Sequence, residues 1–111
     1  MASDHTLLFD ARAATRDFPG IDRYIRELLA ALLPDLRPDE RLHVILPEAM
    51  EIPCLDHTGV TIHRVDADLT TFRSHWQTLR LARSIRPQVI HAPYLLTPLR
   101  VPGKLVLTVH D

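Results

Sequence analysis

Polar residues able to do chemistry cluster where apolar segments of this chain end. His110-Asp111 follows Leu105-Val106-Leu107-Thr108-Val109, Asp10 and Arg12 follow Thr6-Leu7-Leu8-Phe9, and His91 closes Val89-Ile90. An imidazole at a strand end can hydrogen-bond a ligand hydroxyl, and a neighbouring carboxylate can orient it. Arg12 suits a phosphate or carboxylate. Gly20 precedes a helix-like stretch, where a residue without a side chain lets a phosphate reach the exposed N–H groups and the positive end of the helix dipole. No G-x-G-x-x-G spacing accompanies it, so by itself Gly20 reads as a turn glycine. His5, His43, His57, His63 and His75 lie on different elements with no ligand-like spacing, and no metal site is expected. Cys54 has no evident base nearby and reads as a plain loop or core thiol.

Those residues need a scaffold, and the spacing of apolar residues predicts one. Thr6–Asp10 reads as a first strand, and a loop closes on Phe18-Pro19-Gly20. From Ile21 the positions Ile21, Tyr24, Ile25, Leu28, Leu29 and Leu32 make one stripe of a helix that Pro34 ends. Asp22 favours the positive helix end and is an i,i+4 partner of Arg26. Leu42–Pro47 and Val60–Val65 follow as strands. Thr70 or Thr71 can cap a second helix, with Phe72, Trp76, Leu79, Ala82 and Ile85 as its inward face and Trp76 as a core anchor. Val89–His91 is a brief strand, Pro93–Gly103 a loop and Leu105–Val109 a fifth strand. The strands are apolar enough to be buried on both faces, which predicts an α/β fold with a parallel sheet between helices. The first, second, fourth and fifth strands should run parallel, with the first central and beside the fourth. Ligands of such sheets bind at the carboxyl ends of the strands, where the polar residues above collect.

The chain has 111 residues, 46% of them hydrophobic, which suits one domain and excludes disorder. A net charge of -1 and six aromatic residues offer no platform for nucleic acid. The longest apolar run, Leu28 to Leu33, is far short of a membrane span of about 20 residues. The single cysteine and the absence of a leader-like start point to a cytoplasmic protein.

Four segments carry a family resemblance: Asp10-Ala11-Arg12, Pro19-Gly20-Ile21-Asp22-Arg23-Tyr24-Ile25-Arg26-Glu27-Leu28-Leu29, Val89-Ile90-His91-Ala92-Pro93-Tyr94 and Leu107-Thr108-Val109-His110-Asp111. In this order they resemble the N-terminal domain of group 1 (family 4) glycosyltransferases, over nearly the whole chain. The resemblance implies a partial Rossmann-like, acceptor-side domain at 1–111 of a GT-B enzyme, ending after the fifth strand. The nucleotide-sugar domain, with its Arg/Lys pair and two Glu residues, would be absent. It implies transfer of a sugar from a nucleotide diphosphate sugar to a sugar or lipid-linked acceptor with retention of configuration, without a cofactor, by the full enzyme only. His110 would be catalytic, bonding a sugar hydroxyl near the reacting carbon. Gly20 would approach the diphosphate, and Arg12, His91 and Asp111 would line the acceptor side. Asp22 stands where the family often has a second glycine. A sheet ending at the fifth strand would leave an edge through which two copies could associate.

Two other classes fit parts of the pattern. His110-Asp111 resembles the dyad of metal-dependent phosphohydrolases, although that class carries it on helices. A small α/β ligand-binding or regulatory module would use Asp10 as a phosphoacceptor, but Asp10 has no acidic neighbour close in sequence.

Overall fold

The structure is a computed structural model that describes residues 5–14, 19–48, 50–65, 72–92 and 104–107. The strands are β1 His5–Asp10, β2 Glu40–Pro47, β3 Val60–Val65, β4 Val89–Ala92 and β5 Lys104–Leu107. The helices are α1 Pro19–Leu32 and α2 Phe72–Ile85, with short 3₁₀ turns at Leu33–Asp35 and Pro53–Leu55. The five strands form one sheet in the order β3-β2-β1-β4-β5, and every neighbouring pair is parallel. This is the Rossmann-like α/β arrangement that the apolar strands predict, with β1 central and beside β4. Thr70 and Thr71, the loop at 93–103 and Thr108-Val109 lie outside the described residues.

The chain steps outward from β1 through β2 to β3, then returns past β1 to β4. Right-handed crossovers put the helices of outward and return steps on opposite faces. The core divides accordingly. Ile25 and Leu29 of α1 pack with Phe9, Leu42, Val44 and Leu46, whereas Ala82 of α2 packs with Leu8, Ile45, Val65 and Ile90. Alternate residues of β2 therefore serve both layers.

Three local findings refine the expectations. Helix α1 begins at Pro19, so Gly20 lies inside its first turn, where proline's missing N–H has no intrahelical bond to lose. Helix α2 ends at Ile85; Arg86, with a φ of 52°, follows as a left-handed residue whose N–H bonds to the Ala82 carbonyl at 2.9 Å, and Pro87 comes next. Trp76 is not a core anchor: it is 54% exposed. Among the described side chains of α2, Thr78 and Ala82 are buried, with Leu81 and Ile85 packed on the same side. Six residues separate Trp76 from Ala82, about 600° at 3.6 residues per turn, which carries the indole to the outer side.

Candidate functional site

The carboxyl ends of β1 and β4 meet at the point where strand order reverses, with Leu7, Leu8 and Phe9 registered against Val89, Ile90 and His91. Asp10 is the last residue of β1. Its backbone continues into Ala11, whose N–H bonds to the Ile45 carbonyl of β2 at 2.9 Å. Arg12 turns back on Asp10. Its Nε donates to Oδ1 at 2.9 Å and to Oδ2 at 3.1 Å, and its Nη2 donates to Oδ2 at 2.8 Å. The Arg12 backbone N–H also donates to Oδ1, at 3.2 Å.

Both side chains are withdrawn from water, at 1% exposure for Arg12 and 0% for Asp10. A bidentate fork of this kind offsets the cost of burying two charges only while both partners are present. It closes the turn between β1 and the segment leading to α1. A phosphoacceptor needs a carboxylate that a phosphoryl donor can reach, and Asp10 is enclosed, which counts against the regulatory-module alternative. Arg12 is a buried side chain committed to Asp10, in place of a guanidinium standing in open solvent.

His91 lies one residue before the end of β4, its ring centroid 4.9 Å from that of Phe9 with planes tilted by 40°. Burial lowers its pKa from the ordinary imidazole value, which favours the neutral ring, with one donor and one acceptor nitrogen. Gly20 is exposed at the start of α1, and a Cβ built there would meet nothing within 4 Å. Packing does not demand glycine at that position. His110 and Asp111 lie outside the described residues.

The sheet brings together two histidines whose pairing the sequence analysis missed. His43 Nδ1 and His63 Nε2 are 2.9 Å apart across β2 and β3. One ring must donate and the other accept, so at least one is neutral. Desolvation lowers both pKa values, and for His43 the nearby His63 adds to the effect. Their alternation with Ile45 and Val65, which pack on the α2 side, was the available signal; their mutual register was not. Among the described residues, no group of three or more His, Cys, Asp or Glu could hold a metal ion. Cys54 packs half-buried against the α1-side core.

Two grooves lie elsewhere. One of about 460 Å³ sits at the amino-terminal edge of the sheet, between Leu7, Leu32, Leu36 and Val89. Another of about 370 Å³ lies between β3 and α2, lined by Arg64, Val65, Gln77, Arg80, Leu81 and Ser84. No described helix is long and apolar enough to cross a membrane. Comparisons of the chain with protein-family models, with curated proteins and with solved structures gave no match. The geometry of the switch point therefore carries the functional reading.

Proposed function

We propose that this chain is the acceptor-side, N-terminal part of a cytoplasmic retaining glycosyltransferase of the GT-B arrangement. One observation carries the reading: segments that resemble the family, Asp10-Ala11-Arg12 and His91-Ala92, end on adjacent parallel strands at the switch point, where α/β sheets bind ligands. Open space at Gly20 in the first turn of α1 supports approach of a diphosphate.

In this reading the Asp10–Arg12 fork positions the turn beside the acceptor, and neutral His91 lines the acceptor side. His110 bonds the transferred sugar, and Asp111 orients that imidazole or an acceptor hydroxyl. Fixed positive charge and helix N-termini stabilise the departing nucleotide diphosphate while the acceptor hydroxyl attacks beside it, a mechanism that needs no metal. The groups that hold the donor would belong to a second domain. Association of two copies along the β5 edge, where Val106 is 45% exposed, belongs to the same reading.

The test is an assay of the 111 residues, and of a form of the protein that carries a nucleotide-sugar domain, against a panel of nucleotide diphosphate hexoses. The longer form should transfer with retention, read from the anomeric proton of the product, and the 111 residues alone should not. His110→Ala in the longer form should lower kcat by about 10² with little change in donor KM. An inverted product, turnover by the 111 residues alone, or an unchanged kcat in the variant would each count against this assignment.

A further inference from the structure

The outward side of α2 is a basic stripe. Taking Thr78 as the direction of the sheet, positions 73, 76, 80 and 83 fall within an arc of about 80° on the opposite side of a helix with 3.6 residues per turn. All four side chains are exposed: Arg73, Trp76, Arg80 and Arg83. Helix α2 contains no Asp or Glu. The bias extends past the helix. Between Leu69 and His110 the charged residues are Arg73, Arg80, Arg83, Arg86, Arg100 and Lys104, without one carboxylate. Among the described residues no carboxylate forms an ion pair with Arg80 or Arg83.

A solvated helix face ordinarily mixes charge signs and keeps large aromatics inside. This face does neither. Its shape further narrows the partner. The stripe is convex and runs about 15 Å from Arg73 to Arg83 at 1.5 Å per residue, so a flat surface can meet it along its length without a matching groove. One indole is too little for stacking successive bases, whereas an amphipathic indole beside cations is what the headgroup layer of a bilayer accommodates. Leu81, Ala82 and Ile85 of α2 are already packed on the sheet, so a contact through the opposite side would be peripheral, with the indole as its apolar element.

We propose that Trp76, Arg80 and Arg83 form the centre of a docking surface for an anionic lipid bilayer, with Trp76 at headgroup level and the two arginines on lipid phosphates. The proposal does not depend on the sugar-transfer reading, because it uses α2 rather than the carboxyl edge and its test requires no turnover.

The chain has one tryptophan, so its emission reports this contact directly. The 111-residue chain is titrated with vesicles of phosphatidylglycerol and phosphatidylcholine, and with pure phosphatidylcholine, at low salt and at high salt. Binding is expected as a blue shift and co-sedimentation with the anionic vesicles alone, and is lost at high salt. Each arginine removed should weaken partitioning by about fivefold, so R80A/R83A should bind about 25-fold more weakly, with circular dichroism verifying its fold. R80K/R83K should retain binding, since the attraction is to charge. Absence of binding to anionic vesicles at low salt, wild-type binding by R80A/R83A, or tighter binding to single-stranded or duplex DNA than to the vesicles would overturn the proposal.

Discussion

The two helices are each 14 residues long, yet they treat charge in opposite ways. Helix α1 balances its own: Arg26 bonds Asp22 at 2.9 Å and Arg23 bonds Glu27 at 3.1 Å, both at i,i+4 spacing. Helix α2 has only arginines and leaves its tryptophan in water. Their inner faces differ as well. Among the described side chains, α1 buries Ile25 and Leu29 on the Phe9 side of the sheet, while α2 buries Thr78 and Ala82 on the Leu8 side. An element with internally paired charges and a deep apolar face is explained by folding alone. One whose charged residues are all basic, with an indole among them on the exposed side, points outside the chain. The net charge of -1 conceals this, because thirteen of the fourteen carboxylates precede Leu69.

The largest effect that would sharpen the contrast lies at the turn leading into α1. Asp10→Ala removes the Asp10 carboxylate from the buried Arg12 guanidinium and should cost about 3–5 kcal/mol in urea unfolding. Glu27→Ala, at an exposed pair on α1, should cost no more than about 0.5 kcal/mol. Similar costs for the two would mean that the Asp10–Arg12 turn opens to water.

A smaller effect compares the inner faces directly. Leu29→Ala removes a fully buried side chain and should cost about 3 kcal/mol, whereas Leu81→Ala, part-buried on α2, should cost about half as much. Equal losses in chemical denaturation would mean that Leu29 and Leu81 are equally well packed.

The mildest effect is the response to acid. His43, His63 and His91 all have folded-state pKa values below the ordinary 6.5. The unfolded chain therefore binds protons first. Stability should be greatest above pH 6.5 and fall as pH drops from there through the lower folded values. Two of the three face the α2 side, so His43→Gln with His63→Gln should flatten the acid limb more than His91→Gln does. The reverse ranking, measured as unfolding midpoint against pH, would place the acid-sensitive layer on the α1 side.

Much of the scaffold is legible in the residues. The continuous apolar runs at Val44-Ile45-Leu46 and Leu7-Leu8-Phe9 predict strands covered on both faces, and the sheet is parallel with β1 beside β4. The candidate site is less legible. Asp10 and Arg12 are close in sequence, yet nothing in their spacing says that the guanidinium folds inward at 1% exposure. The His43–His63 contact joins residues twenty positions apart on separate strands, and only the β2–β3 register brings them within 2.9 Å.

What the sequence alone determined is local: the period of each element, the prolines that bound the helices, and a two-faced apolar pattern that suits strands of a covered parallel sheet. The sequence also contains the long stretch without a carboxylate, but not the direction in which it points. Tertiary structure decided that direction. Helix α2 carries apolar residues on more than one side, from Trp76 and Leu79 round to Ala82 and Ile85, so periodicity permits several rotations about its axis. Docking on Leu8, Ile45, Val65 and Ile90 selects the rotation that buries small Thr78 and Ala82 against the sheet. The bulky indole and the arginines are left on the outside, because a closely packed interior has room for only one of those faces.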